Sequence, residues 1–319
     1  MTRDTAPGLT SDLGVLLFAA EELSKGRQVA LVTIVGLDGP FSRPLGAQLA
    51  VAEDRRFVGS ISGGCLEKAL TEECQLALQA GANRRVRYGR GSPYLDVRLP
   101  CGGGIDLFID IRPNEAALRS AIDAARQRRP FIMALRQDVD SSTLRIVDDH
   151  SALEGDYFKR RFEPRLRLIL AGRGWEIVAM SELAQTLDIE IIVASQESAT
   201  LDFCRPYADQ LLTLTVPAHP PSLPLDSYSA LACLFHEHEW EAPILLDALR
   251  SQAFYVGALG SRQTHARRIE TLRELGAGPD DISRLKGPIG LFASRDPRSV
   301  ALSALAEIMM LHGQRRPAP

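Results

Sequence analysis

In the first half of the chain, the spacing of apolar and polar positions switches several times between helix and strand patterns, which is typical of a mixed α/β domain. Residues 12–25 follow the spacing of a helix, and the β-branched run from Val29 to Val35 predicts a buried strand. Further strands are predicted at 47–51, 57–60, 85–88, 105–111 and 131–135, and further helices at 65–80 and 114–127. This half therefore predicts a single mixed α/β domain.

The second half alternates regularly between strand and helix patterns, which predicts a parallel sheet with right-handed crossovers. The predicted strands are 166–171, 189–194, 210–214, 229–235 and 254–259, and the predicted helices are 175–187, 243–251, 262–275 and 297–311. We expect a Rossmann-like, doubly wound domain, so that the whole chain is of the α/β class.

A charged segment that ends in proline separates the two patterns. It contains Asp148 and Asp149 and finishes with the run from Lys159 to Pro164. Because charge and a terminal proline suit a connection between domains, we predict a first domain at 1–150, a linker at 151–164 and a Rossmann-like domain at 165–319.

Composition and charge narrow the classes of function. With 319 residues, 45% hydrophobic and 24% charged, the chain can build two cores and is not disordered. Its 37 basic and 40 acidic residues give a net charge of -3, which provides no positive field for nucleic acid. No apolar stretch approaches the roughly 18 residues of a membrane span. The five scattered cysteines do not resemble a secreted disulfide framework, so we expect a cytoplasmic protein.

Two thiols in the first half stand beside glycine pairs. Gly63 and Gly64 precede Cys65 where a strand passes into a helix, and Cys101 precedes Gly102 and Gly103. A helix start exposes backbone N–H groups and lowers the pKa of a thiol. Either cysteine alone suits a small buried residue, but together the two motifs indicate one pocket for an anionic, sulfur-containing or metal-containing ligand.

A partial dinucleotide fingerprint opens the second half. Gly172 and Gly174 follow a predicted strand, and Ile177 occupies the place of the third glycine. The acid that binds ribose should follow about 20 residues later. Ser195 stands there, 23 positions after Gly172, and Glu197 comes two residues further on. The turn is therefore either a working phosphate cradle or a Rossmann fold kept for packing and dimerisation.

A second strand-turn-helix junction lies at Gly260, Ser261 and Arg262. Ser261 can cap the following helix and Arg262 can pair with an anion, although a simple glycine turn with a serine cap explains the same residues. His236 follows another predicted strand at the end where doubly wound folds bind ligands, which makes it a candidate polar residue of the cleft.

Five motifs together resemble the XdhC/CoxI family of xanthine dehydrogenase accessory proteins. They are GSISGGCLE at 59–67, PCGGG at 100–104, GRG at 172–174, YVGALGSRQTHARR at 255–268 and PIGL at 288–291. The resemblance implies a cytoplasmic homodimer that binds and protects the molybdenum cofactor and delivers it to xanthine dehydrogenase or a related molybdoenzyme. It also implies work beside a cysteine desulfurase and no turnover of its own. The charge balance and the lack of a long apolar stretch predict no nucleic-acid or membrane partner.

The resemblance and the motif chemistry give one set of candidate cofactor-binding residues. These are Ser62, Gly63, Gly64, Cys65, Glu67, Cys101, Gly102, Gly103, Gly172, Gly174, His236, Gly260, Ser261 and Arg262. Cys65 or Cys101 would approach the molybdenum, because a thiolate suits a soft metal. The cofactor that the resemblance implies is molybdopterin, either plain or in a form that bears a nucleotide.

The second half departs from the family pattern. The family usually reads GAGH where this chain has Arg173 and Trp175, and it reads DxR where residues 195–197 are Ser-Gln-Glu. Its THD is replaced at 235–237, and the residues after PIGL, 292–294, also differ. The cofactor role therefore rests mainly on the first domain, and nucleotide binding by the Rossmann-like domain stays open.

Two other classes of function compete with this interpretation. A nicotinamide-dependent oxidoreductase would use the second domain, with His236 or His265 as the acid, although the acid after the second strand is poorly placed. An interaction scaffold with a degenerate Rossmann fold would bind no small ligand.

Overall fold

The structure is a computed structural model that describes residues 12–39, 41, 43–64, 66–93, 102–137, 143–147, 156–217, 220–235 and 238–315. The chain divides into two compact units, the first ending at Pro164 and the second beginning at Arg165. Within the described ranges, no helix combines the length and the apolar character needed to cross a membrane.

A five-stranded antiparallel sheet forms the centre of the first unit. Its order is β3-β2-β1-β5-β4. The strands are β1 (Val29–Asp38), β2 (Gln48–Ala52), β3 (Phe57–Gly59), β4 (Arg84–Gly89) and β5 (Gly104–Asp110). All five were predicted from the sequence, and β1 runs three residues further than its apolar run indicated.

Helices cover both faces of this sheet. They are α1 (Asp12–Ser24), α2 (Glu67–Ala80) and α3 (Glu115–Arg126). Successive residues of a strand point to opposite faces. Val32 of β1 accordingly shares a buried cluster with Leu70 of α2, whereas Leu31 shares another with Leu16 of α1. Burial on both faces explains why β1 is continuously apolar rather than alternating.

A three-stranded sheet completes the first unit and corrects the predicted linker. Its order is β7-β6-β8, with β6 (Phe131–Arg136), β7 (Thr143–Val147) and β8 (Phe158–Phe162). Strand β8 pairs antiparallel with β6, although residues 158–162 lie inside the segment predicted as linker. The three central residues of β8 are charged, so the sequence did not indicate a strand. In the structure the guanidinium of Arg160 lies 4.1 Å from the ring centroid of Phe162 and covers that ring.

The second unit is a six-stranded parallel sheet in the order β11-β10-β9-β12-β13-β14. The strands are β9 (Arg167–Gly172), β10 (Glu190–Ser195), β11 (Gln210–Thr213), β12 (Ser229–Leu234), β13 (Tyr255–Ala258) and β14 (Leu285–Lys286). Helices cover both faces, so the prediction of a Rossmann-like domain is confirmed.

The helices of this unit differ from their predicted bounds at a few points. They are α4 (Trp175–Ala184), α5 (Ser198–Cys204), α6 (His238–Arg250), α7 (Arg262–Glu274), α8 (Pro279–Arg284) and α9 (Pro297–Arg315). The short elements α5, α8 and β14 were not predicted. Helix α6 begins five residues earlier than expected, because Trp240 and Ile244 are both buried against the sheet and stabilise an additional turn.

The strand order places a topological switch point between β9 and β12. From β9 the chain proceeds to β10 on one side of the sheet, whereas β12 is followed by β13 on the other side. Since the strands are parallel, Gly172, Leu234 and Ala258 all end at the same edge. Doubly wound folds bind their ligands at this position, and the glycine turns of the second half lie there.

We predict that Phe162→Ala lowers the free energy of unfolding by about 3–5 kcal/mol, as expected for truncating a buried phenylalanine. Phe162 is buried and stacks on Phe131 with ring centroids 4.9 Å apart. Urea denaturation would measure the change. Phe57→Ala serves as the control, because Phe57 is 46% exposed and its loss should cost no more than about 0.5 kcal/mol. A similarly small loss for Phe162→Ala would mean that β8 does not belong to the core.

Candidate functional site

The GGC loop, residues 60–66, joins β3 to α2 and folds around the carboxylate of Glu67, the first residue of α2. Glu67 Oε1 accepts hydrogen bonds from the backbone N–H groups of Ile61, at 3.0 Å, and Ser62, at 2.9 Å. The same oxygen accepts the hydroxyl of Ser60 at 2.9 Å. One carboxylate oxygen thus holds the first half of the loop.

The other carboxylate oxygen holds the second half. Glu67 Oε2 accepts the backbone N–H groups of Gly64, at 2.8 Å, and Leu66, at 3.2 Å. It also accepts the hydroxyl of Ser62 at 2.8 Å. Six hydrogen bonds therefore converge on a side chain that is only 6% exposed.

These contacts determine the charge state of Glu67. Burial by itself raises the pKa of a carboxyl group, but the backbone N–H and hydroxyl of Ser62 and the hydroxyl of Ser60 favour the ionised form. Their combined effect lowers the pKa of Glu67 from an ordinary 4.5 to about 2. The GGC loop therefore surrounds a buried negative charge that belongs to the chain itself.

The backbone donors of the loop are largely used within it. Gly63 donates its N–H to Ser60 Oγ at 3.1 Å, and Leu66 donates a second time, to Ser62 Oγ at 2.7 Å. Gly63 and Gly64 have φ values of +75° and +118°, which favour glycine. The sequence suggested free N–H groups at this turn, whereas the structure directs them to Glu67 and to the two serine side chains.

The GGG segment, residues 102–104, leads into β5 beside an ion-paired arginine. Gly104 pairs with Asp38 of β1 on one side and Gly89 of β4 on the other. A Cβ atom at Gly104 would lie 2.7 Å from Nη2 of Arg87, so the glycine allows this side chain to cross the strand. Arg87 donates to Asp106 at 2.7 Å and to Asp38 at 3.3 Å.

Arg90 fixes the rest of the GGG segment. Its backbone N–H donates to the carbonyl of Gly103 at 2.9 Å, and its guanidinium donates to the carbonyl of Gly102 at 3.2 Å. Sequence reasoning missed both arginines. The available signal was the alternation of Arg87 with the apolar Val86 and Tyr88, which places its side chain on the opposite face of β4 from those two.

Sheet topology brings the GGC loop and the GGG segment to the same edge of the five-stranded sheet. Strand β3 is antiparallel to β2, which is antiparallel to β1, so β3 and β1 end at one edge. Strand β5 is antiparallel to β1 and begins at that edge. Ile61 of the loop and Ile105 of β5 also belong to one buried cluster. The edge therefore collects both motifs that the sequence singled out.

The cysteines divide into two groups. Cys65 and Cys101 lie outside the described residues, each next to a described glycine of the shared edge. Cys74, Cys204 and Cys233 are buried. Burial raises the pKa of Cys74 to about 12 and also raises the pKa values of Cys204 and Cys233. These three thiols are therefore inert members of the core.

The Rossmann turn of the second unit is closely packed against its own chain. A Cβ atom at Gly172 would lie 2.5 Å from the carbonyl of Leu234 at the end of β12, so this glycine is required by strand packing. The N–H of Gly174 donates to Thr200 Oγ1 at 3.2 Å, and the Thr200 hydroxyl donates to the carboxylate of Glu197. Glu197, the displaced acid of the fingerprint, thus bonds within its own turn.

Two exposed aromatic side chains lie next to the same turn. Trp175, the first residue of α4, and Phe203 of α5 have ring centroids 5.1 Å apart and are 61% and 52% exposed. Ile177, in the place of the third fingerprint glycine, is fully buried in the core. The departures seen in the sequence therefore change both the surface and the packing of this turn.

The turn after β13 leads into the capped start of α7 and is held by a buried ion pair. Ser261 Oγ accepts the N–H of Thr264 at 3.0 Å and caps α7, while Arg262 is exposed. Arg268 donates to the carbonyl of Leu259 at 2.6 Å and pairs with a buried carboxylate, that of Glu241, at 2.7 Å. These contacts agree with the serine-cap interpretation and leave Arg262 at the surface.

The predicted site residues fall into two groups, one in each unit. Ser62, Gly63, Gly64, Glu67, Gly102 and Gly103 lie at the shared edge of the first sheet. Gly172, Gly174, Gly260, Ser261 and Arg262 lie at the carboxyl edge of the parallel sheet. Cys65, Cys101 and His236 lie outside the described residues.

These features define a two-unit α/β protein in which a domain with paired glycine-cysteine motifs precedes a Rossmann-like domain. Family models match residues 22–89 as the XdhC and CoxI family and residues 168–308 as the XdhC Rossmann domain. The molybdenum cofactor insertion chaperone PaoD of Escherichia coli is 35% identical over 92% of this chain and 86% of its own length. The chain belongs to the XdhC and CoxI family.

More distant relatives are consistent with this assignment. A probable xanthine dehydrogenase subunit of Bacillus subtilis is 23% identical over 90% of this chain and 94% of its own length. The crystal structure of a xanthine dehydrogenase from Bacillus halodurans matches with a TM-score of 0.77 and 22% identity, over 97% of this chain and 98% of that one. The latter likeness shows that the fold is shared.

We predict that acid weakens the folded state through Glu67. Since its pKa is lowered on folding, its contribution to stability is complete above about pH 4.5 and is lost as the pH falls towards 2. Urea denaturation at a series of pH values should show wild type losing stability over this window. Glu67→Gln should be less stable at neutral pH and should converge with wild type in acid. Parallel curves for the two proteins would contradict the assignment.

We also predict that no more than two of the five cysteines react rapidly with a thiol reagent in the native protein, because three of the five are buried with raised pKa values. Colorimetric thiol titration at pH 8, followed by peptide mapping, would locate the label at Cys65 and Cys101. Unfolding in guanidinium should expose all five cysteines. Rapid labelling of Cys74 in the native state would refute this expectation.

Proposed function

We propose that the protein binds the molybdenum cofactor as its cargo and delivers it to a client molybdoenzyme. The observation that carries this proposal is the shared edge of the first sheet, on which both the GGC loop and the GGG segment lie. The cargo is chosen from family membership and from the similarity to PaoD, a molybdenum cofactor insertion chaperone.

The shared edge suits a cargo that has a soft metal at one end. The molybdenum cofactor is a pterin with a phosphate, or a phosphate-linked nucleotide, and a metal held by a dithiolene. Thiolates are ligands for soft metals, and Cys65 and Cys101 adjoin this edge in the sequence. Among the described residues, no atom would lie within 4 Å of a Cβ atom at Gly63, Gly64 or Gly102, which supports an open surface at these glycines.

The finer parts of the proposal rest on the family resemblance and on composition. The client would be xanthine dehydrogenase or a related enzyme, the cargo would be plain or nucleotide-bearing molybdopterin, and a cysteine desulfurase would work beside the protein. We further propose a homodimer in the cytoplasm that has no turnover of its own. The scattered cysteines and the lack of a disulfide framework support a reducing compartment.

A nicotinamide-dependent oxidoreductase has less support. The second strand of the Rossmann-like unit ends at Ser195, where a ribose-binding acid is expected, and Glu197 is bonded to Thr200. Burial and the neighbouring Arg268 lower the pKa of His265, which favours its neutral form over a proton donor.

The cargo proposal predicts that the purified protein retains released molybdenum cofactor through gel filtration. The protein peak would be assayed for the fluorescent oxidised pterin. Wild type should carry near-stoichiometric pterin, and Cys65→Ala and Cys101→Ala should each retain at least tenfold less, because each removes a candidate metal ligand.

Cys204→Ala provides the matched control, since it removes a buried thiol of the other unit and should leave pterin retention unchanged. An empty wild-type peak, with the cofactor shown to be intact, would refute cargo binding and favour an interaction scaffold. Normal retention by both Cys65→Ala and Cys101→Ala would remove the metal-end role from these two residues.

A further inference from the structure

The GGC loop has the form of an anion-binding loop whose anion is part of the chain. Backbone N–H groups of Ile61, Ser62, Gly64 and Leu66 converge on one carboxylate, and successive glycines with positive φ provide the curvature. Loops of this kind commonly enclose a phosphate or another bound anion. Here the carboxylate of Glu67 occupies the centre.

This arrangement differs from an ordinary helix cap. In a capping box the acidic residue stands at the third helical position and reaches back to a single backbone N–H. Glu67 is instead the first residue of α2, and the preceding residue, Leu66, makes no side-chain cap. The side chain turns back over the loop and contacts it as far as Ser60. Its contacts therefore organise the loop rather than only the end of the helix.

We propose that Glu67 is a positioning residue that holds the GGC loop in the conformation that receives the cargo, and that the phosphate of the cargo is bound by groups outside this loop. The inference rests on the proposed function and refines it. The sequence suggested Glu67 as a direct contact of the cofactor, whereas its buried carboxylate faces six donors of its own chain.

The glycines of the loop support the same division of roles. A side chain at Gly64 would meet no neighbour among the described residues, yet φ there is +118°, so the backbone conformation requires glycine. That conformation is the one in which the Gly64 N–H donates to Glu67 Oε2. The glycines thus allow the loop to close on the carboxylate.

The test compares Glu67→Gln with Glu73→Gln in the full-length protein. Glu73 is a matched control because it is a buried carboxylate on the same helix and pairs with Arg84, away from the loop. Hydrogen exchange reports the amides of Ile61, Ser62 and Gly64, and gel filtration reports retained pterin. Glu67→Gln should exchange these amides at least tenfold faster and retain at least tenfold less pterin, while Glu73→Gln should match wild type in both.

Three results would overturn the proposal. If Glu67→Gln lost pterin while the loop amides kept their protection, Glu67 would contact the cargo directly. If Glu67→Gln retained both the pterin and the protection of the loop amides, the carboxylate would not position the loop. Inorganic phosphate added to the wild type should leave the exchange of these amides unchanged, and protection gained on adding phosphate would show that the loop itself binds that anion.

The two hypotheses fail in different ways. An empty wild-type peak refutes cargo binding, whereas the exchange rates still test the role of Glu67 in the loop.

Should Glu67→Gln not fold, Ser62→Ala replaces it, because Ser62 Oγ donates to Glu67 and accepts the N–H of Leu66. Ser62→Ala should accelerate exchange at Leu66 and lower pterin retention, and wild-type behaviour in both measurements would reject the proposal.

Discussion

The buried carboxylate of Glu67 is the constraint on which the candidate site depends. A short loop with two consecutive glycines loses much conformational entropy on folding, so it needs strong contacts to adopt one structure. Hydrogen bonds to a charged acceptor are stronger than those between neutral groups. Because both oxygens of Glu67 accept several donors, a single side chain fixes the path of the chain between β3 and α2.

A second constraint acts on the GGG segment at the same edge of the sheet. Arg87 crosses β5 over Gly104 and is held by Asp106 and Asp38, while Arg90 binds the carbonyls that follow Cys101. The two motifs are thus fixed by different means, one by an internal anion and the other by cations. Both motifs rely on α2 and the sheet, because residues of α2, the GGC loop and β5 share one apolar cluster that holds the loop and β5 in place.

The sequence predicted the fold better than the contacts within the site. Apolar periodicity located β1 and the parallel strands of the second unit, because burial on a defined face produces that pattern. It missed β8, in which Arg160 lies over the ring of Phe162, and it missed the short helix α5. The motifs identified Glu67 and Gly174 as site residues. Only the three-dimensional structure could show that their partners are Ser62 and Thr200, since these contacts depend on how the loops close.

The Thr200 hydroxyl gives the Rossmann-like unit an acceptor of its own at the place where related folds bind a pyrophosphate. A nucleotide phosphate that approached Gly174 would have to take over an N–H that already has a partner. The gain would then be only the difference between two hydrogen bonds, because the N–H already has a protein partner. A phosphate at this turn would therefore compete with the Thr200 hydroxyl for the Gly174 N–H.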